Sequence, residues 1–108
     1  MADTVLRTRN PTREELVAEL RALEPEFVRE GVTHMNLFGS RARGDNRPDS
    51  DVDLVIEVTE GRKFSLLDLV GVGRTVEDHI GLAGSVLMRR SLAADFLDEL
   101  RRDGVDIF

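Results

Sequence analysis

Two aspartates, Asp51 and Asp53, have the side chains and the spacing to do chemistry in this sequence. Side chains two residues apart on a strand point to the same side, about 7 Å apart, so these carboxylates can converge on one cation. Mg²⁺ suits such a pair, because proteins commonly hold it with one or two carboxylates while substrate phosphates and water complete its shell. The pair therefore predicts Asp51 and Asp53 as metal ligands and catalytic residues of a reaction at phosphorus.

A segment rich in glycine and arginine, residues 39–44, precedes this pair, and ten residues separate Ser40 from Asp51. Gly39 lets the backbone approach a phosphate closely, and Ser40 offers a hydroxyl and an N–H group at the start of a helical turn. The candidates for charge-assisted contacts to phosphate are Arg41, Arg43 and Arg47. Of these we assign Arg43, together with Gly39 and Ser40, to nucleotide binding.

Alternating helical and strand patterns predict the elements that position these residues. We predict, in order, a helix over residues 12–30, strands over 32–38 and 51–58, a helix over 65–80, a strand over 84–88, and a helix capped by Ser91 that stops before Gly104. Thr12 and Glu15 form a capping-box pattern at the start of the first helix, which Pro25 should kink or restart. Helices that alternate with short strands predict an α+β (α/β) fold, with helices packed against a small mixed sheet.

Length and composition limit the classes of protein to which this chain can belong. The 108 residues, 41% of them hydrophobic, predict one compact domain over residues 1–108. The polar Met1–Asn10 stretch lacks the apolar core of a signal peptide and no segment is apolar enough for a membrane, so we expect a cytoplasmic protein. Because the chain lacks cysteine, a metal needs oxygen or imidazole ligands. The net charge of −6 argues against broad nucleic-acid binding, and Lys63, the only lysine, does not follow a P-loop glycine pattern.

The two motifs together resemble a known family. Phe38-Gly-Ser-Arg-Ala-Arg-Gly, followed after the linker by Ser50-Asp-Val-Asp-Leu, is similar to the signature of the minimal nucleotidyltransferases of the DNA polymerase β superfamily. The resemblance covers nearly the whole chain and implies the nucleotidyltransferase (polymerase β-like) fold. Members of this family usually act as antitoxins encoded beside a HEPN-domain toxin, a helical ribonuclease, and some transfer AMP from ATP to a tyrosine of that toxin. The resemblance thus implies ATP as substrate, Mg²⁺ as cofactor and a HEPN-type toxin as partner.

One position departs from the family pattern. In the family a third acidic residue lies on the later strand, shortly before the last helix, and here that position falls on Ser85. Such an acid holds a second metal or takes the proton from the attacking hydroxyl, so its loss should lower the rate more than nucleotide binding.

Three functions stay open at this point. The first is AMP transfer to a tyrosine hydroxyl of a cognate toxin. The second, which Ser85 favours, is a catalytically impaired, nucleotide-binding antitoxin or adaptor that neutralises its partner by direct binding. The third is transfer to an RNA or antibiotic hydroxyl, which the acidic chain disfavours. A homo-oligomer is possible, and the sequence determines neither the exact nucleotide nor the acceptor.

Overall fold

The computed structural model describes residues 9–108 of the chain, so most of the polar Met1–Asn10 stretch lies outside the described residues. The elements are, in order, α1 (Arg13–Ala22), α2 (Glu24–Arg29), β1 (Val32–Phe38), α3 (Ser40–Arg43), β2 (Val52–Val58), α4 (Leu66–Ile80), β3 (Gly84–Met88), a 3₁₀ turn (Arg89–Ser91), α5 (Ala94–Asp103) and β4 (Val105–Asp106). In this part of the chain, every helix is too short or too polar to cross a bilayer.

The strands form one four-stranded mixed sheet in the order β3-β2-β1-β4. β1 runs antiparallel to both β2 and β4, whereas β2 runs parallel to β3. Parallel neighbours need a crossover connection, and α4 supplies it between β2 and β3. The predicted α+β fold, with helices against a small mixed sheet, is confirmed.

Helices cover both faces of the sheet. The larger core lies on the face toward α1, α2 and α4, and its fully buried members include Leu16, Leu20, Phe27, Leu37, Leu54, Ile56, Val72 and Val76. On the opposite face the rings of Phe38 and Phe96 meet edge to face, with centroids 5.2 Å apart. Val55, which strand alternation places on the same face as Asp53, is buried as well. Apolar packing therefore continues beneath the acidic end of β2.

The first helical segment follows its sequence signals closely. Thr12 and Glu15 form the capping box predicted from their spacing. The predicted helix over residues 12–30 is broken at Leu23. Pro25 lies in the first turn of α2, where its missing N–H costs no intrahelical hydrogen bond. The predicted restart of the helix at this proline is confirmed.

Predictions for the last third of the chain were partly wrong. The helix begins at Ala94 and not directly after Ser91, because Ser91 closes the 3₁₀ turn and Leu92 is extended, with φ −89° and ψ 144°. The sequence analysis also missed β4, in which Val105 pairs with Leu37 of β1. A strand of two residues is too short to show the alternation by which strands are recognised.

Candidate active site

Three segments of the chain meet at one end of the sheet. Because β2 is antiparallel to β1 and parallel to β3, the carboxyl end of β1 lies beside the amino ends of β2 and β3. Asp53 is paired in register with Phe38 on one side and with Ser85 on the other. The glycine- and arginine-rich segment, residues 39–44, follows Phe38 directly. The fold thus brings together the motif residues that lie far apart in sequence.

The charge of Asp51 acts on the carboxyl group of Asp53. Asp53 is half-buried near the start of β2, whereas Asp51 immediately precedes the strand and is exposed. Burial raises the pKa of Asp53 above its ordinary value, and the negative charge of Asp51 raises it further, while Arg41 and Arg43 oppose the shift. A cation held between the two carboxylates would favour the charged form of Asp53.

Asp51 and Asp53 suit a metal ion that the substrate also binds better than a metal ion held by the protein alone. Among residues 9–108 there is no group of three or more His, Asp or Glu side chains able to hold a metal. Two carboxylates suffice for Mg²⁺, which keeps several waters and takes oxygens from substrate phosphates. The donor set of Asp51 and Asp53 therefore fits Mg²⁺ bound with a nucleotide, and their role as its ligands stays a prediction.

Gly39 lies tightly against Asp53. Its φ is +74°, a conformation that favours glycine, and a Cβ built at this position would collide with Oδ2 of Asp53. Gly39 also precedes α3 as its N-terminal cap residue. The turn after β1 and the carboxylate of Asp53 are therefore packed as one unit, which only glycine allows.

Arg41 was one of the candidate phosphate contacts, but its side chain is buried in the protein. Its side chain is only 1% exposed and donates hydrogen bonds to the carbonyl oxygens of Ser50, at 2.9 Å, and Pro48, at 3.2 Å. A third bond, of 3.3 Å, goes to Oδ1 of Asn10. Burial lowers the pKa of the guanidinium, and the charges of the two motif aspartates oppose this lowering. Arg41 therefore anchors the loop between α3 and β2, and acts on the site through charge.

Sequence reasoning missed this anchoring role, although a signal for it exists. The loop of residues 44–50 contains no large apolar side chain that could hold it by burial. Buried backbone carbonyl groups need donors, and an arginine supplies several from one side chain. When a loop without large apolar side chains follows an arginine, the pattern therefore indicates that the arginine anchors the loop.

Ser40 and Arg43 are the first and last residues of α3, the short helix that follows Gly39. The Arg43 guanidinium is about half exposed and forms an ion pair with Asp45 at 3.2 Å. Arg43 and Gly39 both line a cavity of about 110 Å³ between α3 and α5. Ser40 is the first residue of α3, as the predicted helical turn requires. The assignment of Gly39, Ser40 and Arg43 to nucleotide binding stays a prediction.

The sequence profile of the nucleotidyltransferase domain family matches residues 13–107. The chain belongs to this family. The protein adenylyltransferase MntA of Thermococcus cleftensis is similar to it, with 33% identity over 95 residues, which cover 87% of this chain and 94% of the relative. The residues that match the family profile include both motifs and every helix and strand from α1 to β4.

Solved structures of nucleotidyltransferases share the fold. One, provisionally described as a minimal nucleotidyltransferase, superimposes with a TM-score of 0.74 at 31% identity and covers 89% of this chain and 96% of its own. A toxin-antitoxin complex with AMP-PNP superimposes with a TM-score of 0.66 over 82% of this chain and 72% of its own. Its 13% identity makes this a likeness of fold alone. The predicted nucleotidyltransferase fold is confirmed.

Proposed function

We propose that this nucleotidyltransferase is an antitoxin that transfers AMP from ATP to a tyrosine hydroxyl of a HEPN-type toxin. The observation that carries the proposal is the meeting of residues 39–44 with Asp51 and Asp53 at one end of the sheet. The name of the Thermococcus cleftensis relative, protein adenylyltransferase, supports a protein acceptor. The toxin-antitoxin complex with AMP-PNP, which shares the fold, supports an adenine nucleotide and a toxin partner.

The proposed reaction is an exchange of bonds at the α-phosphorus of ATP. The tyrosine oxygen forms a bond to this phosphorus while the bond from phosphorus to the bridging oxygen breaks, and pyrophosphate leaves with the electron pair. The hydroxyl proton passes to water. Mg²⁺ held by Asp51 and Asp53 would neutralise the negative charge that develops on the phosphate oxygens. Ser40 and Arg43 hold the remaining phosphates, and Gly39 lets the carboxylate of Asp53 lie against the turn that carries them.

Ser85 favours a second candidate, an antitoxin that binds nucleotide but transfers it slowly or not at all. It is paired in register with Asp53 on β3, where a carboxylate could bind the same Mg²⁺ ion as Asp53. A serine hydroxyl is neither a strong ligand for Mg²⁺ nor a general base at neutral pH. In this second account the chain neutralises the toxin by contact alone.

The two accounts separate in one experiment. The chain is co-expressed with the product of the neighbouring gene, and the purified pair is incubated with ATP and Mg²⁺ before the intact mass of the toxin is measured. Transfer predicts a toxin heavier by AMP, mapped to tyrosine, in the parent protein but not with Asp53→Asn. An unchanged toxin mass, with the toxin inhibited by both proteins, supports neutralisation by contact. If the two proteins never co-elute, the proposal of a toxin partner is wrong.

A further inference from the structure

The two edges of the sheet differ in how they are protected. At one edge Arg21 donates hydrogen bonds to the carbonyl oxygens of Asp106, at 2.8 Å, and Ile107, at 3.1 Å, and so covers β4. At the other edge β3 pairs, among residues 9–108, with β2 only. Its five residues include neither a charged side chain nor proline, the usual protections of an edge strand. The edge of β3 is therefore suited to pair with another strand.

The pairing of β3 with β2 determines which backbone groups face this open edge. In a parallel ladder, successive residues turn their N–H and C=O groups alternately toward the neighbouring strand and away from it. The carbonyl oxygen of Ala83 accepts a hydrogen bond from the N–H of Val52 at 2.8 Å, so Ala83 faces β2. Two and four residues later, Ser85 and Leu87 face β2 as well. The N–H and C=O of Val86, the middle residue of β3, therefore point to the open edge.

The side chain of Val86 points toward α4, where a cavity of about 340 Å³ lies between the helix and the strand. A Cβ on Gly73 of α4 would be 3.8 Å from Cγ2 of Val86. In an added strand, the residue opposite Val86 points its side chain to this same face. Leu69 and Val70 also line the cavity, and Val70 is 55% exposed. An apolar side chain placed here would therefore bury apolar surface that now faces water.

Charged side chains border the same cavity. Arg74 and Glu77 of α4 are exposed, and both line it. In an added strand, the residues two positions before and after the apolar one point to this face too. Because Arg74 and Glu77 carry opposite charges, polar or charged residues at those two positions are complementary to the surface. The cavity thus favours one apolar side chain between polar ones.

The other face of an added strand would meet the candidate active site. Ser85 is paired in register with Asp53, and their side chains point to the same face. A residue opposite Ser85 is two strand spacings from Asp53, about 9.6 Å. Tyrosine carries its hydroxyl group at the far end of a long side chain and can span much of this distance, whereas the hydroxyl groups of serine and threonine stay next to the main chain. Leu87, on the same face and 36% exposed, offers apolar surface to the ring.

We propose that an extended segment of the acceptor protein pairs with the open edge of β3. Its tyrosine lies opposite Ser85, and the residue opposite Val86, next to the tyrosine in sequence, is apolar and enters the cavity. This inference rests on the proposed transfer to tyrosine and adds how the tyrosine is presented. The edge fits an acceptor because the position opposite Ser85 is in line with Asp53, where transfer would occur. Main-chain hydrogen bonds would supply affinity, and the cavity would select the side chain.

Amide hydrogen exchange, followed by NMR, tests the strand pairing. The product of the neighbouring gene is added to the chain without ATP, so that no transfer takes place. The outward N–H of Val86 should then exchange about tenfold more slowly, while the N–H of Ser85, already bonded to β2, should change little. AMP transfer without added protection of Val86 would overturn the strand pairing and leave the proposed function intact. Protection of Val86 without transfer would support the docking and contradict the proposed reaction.

A lysine at the cavity tests which side chain the added strand inserts. Val70→Lys places a charge where the apolar side chain should bind, so the complex with the product of the neighbouring gene should be about tenfold weaker in calorimetry. Leu67→Lys is the matched control, because Leu67 is 80% exposed on the same helix and lies outside the cavity lining. Both variants should keep the Mg²⁺-dependent affinity for ATP. Equal affinities of the two variants for the partner would overturn the role of the cavity.

The position of the modified tyrosine tests the register. After transfer, the tyrosine is mapped by proteolysis and mass spectrometry, and a large apolar residue should adjoin it in the sequence of the acceptor. Polar residues on both sides would contradict the proposal. Other occupants of the edge have their own signatures in the chain alone. Protection of Val86 that rises with protein concentration would assign the edge to a second copy, and protection that is lost when residues 1–8 are deleted would assign it to that segment. Either result would overturn the proposal.

Discussion

Ser85 lies directly opposite Asp53 in the parallel pairing of β2 and β3. Neighbouring strands are about 4.8 Å apart, and side chains paired in register point to the same face. A carboxylate at position 85 would therefore share the space in front of Asp53. Ser85 offers a hydroxyl in place of this acid, and we expect the rate of transfer, more than the binding of nucleotide, to be affected.

The first prediction is that Ser85→Asp raises the rate of AMP transfer to the toxin. A positioned general base contributes about 10²- to 10⁴-fold, so even partial recovery should be visible in the initial rate measured by mass spectrometry. Ser85→Asn controls for size and polarity without adding charge. If the parent already transfers AMP efficiently and Ser85→Asp slows it, another acid fills the third role.

The second prediction concerns Gly39, which we compare with Gly44. Gly44, with φ +83° and ψ 12°, is in the left-handed helical region, where alanine should cost about 1 kcal/mol, whereas Gly39, with φ +74° and ψ −158°, is in a region open essentially to glycine alone, where alanine is strained more. Only at Gly39 does the new Cβ also collide with Asp53. Gly39→Ala should therefore abolish Mg²⁺-dependent ATP binding, measured by calorimetry, while Gly44→Ala should retain it. Equal affinities for the two variants would show that the contact with Asp53 is irrelevant to the site.

The third prediction is that Arg41 stabilises the fold. Arg41→Met leaves the carbonyl oxygens of Pro48 and Ser50 without their side-chain donor, while Oδ1 of Asn10 keeps its bond from Asn46, and the loss should lower the free energy of unfolding by about 3 kcal/mol. Arg47→Met, in the exposed part of the same loop, should change it by less than about 0.5 kcal/mol. Urea denaturation of both variants measures the difference. Equal small losses would argue that water replaces the guanidinium without cost.

The fourth prediction links acid stability to the capping box of α4. The backbone N–H of Ser65 and its hydroxyl lower the pKa of Asp68, so the charged form stabilises the folded state. This contribution is fully present above the ordinary carboxyl pKa of about 4 and is lost as the pH falls through the lower, folded value. Asp68→Asn should therefore lower Tm at neutral pH, and the difference from the parent should vanish in acid. A difference that stays constant down to the lowest pH would contradict this origin.

Strong periodicity and capping chemistry made much of the fold predictable. The strands over residues 32–38 and 84–88 have the bounds expected from their apolar runs. The helix predicted over residues 65–80 extends from Leu66 to Ile80, and Ser65 is its N-terminal cap. These signals are local, so the sequence carries them without knowledge of the tertiary structure.

Features that depend on long-range contacts were not predictable in the same way. β4 exists because Val105 and Asp106 find a partner in β1, and the buried position of Arg41 depends on how the following loop folds over it. The start of α5 was misplaced because Ser91 resembles a helix cap but belongs to a 3₁₀ turn. In contrast, the family resemblance implied that position 85 lies near the motif aspartates, and the structure pairs Ser85 with Asp53 in register.

Calorimetric titration of ATP into the chain, with and without Mg²⁺, tests most directly whether Asp51 and Asp53 form a metal-dependent nucleotide site. The parent should bind ATP more tightly with Mg²⁺, because the cation relieves the repulsion between the two carboxylates and joins them to the phosphates. The Asp51→Asn plus Asp53→Asn variant should lose most of this gain. Asp49→Asn, an exposed acid of the same loop, should keep it. Unchanged Mg²⁺-dependent affinity in the double variant would contradict the assignment of the site.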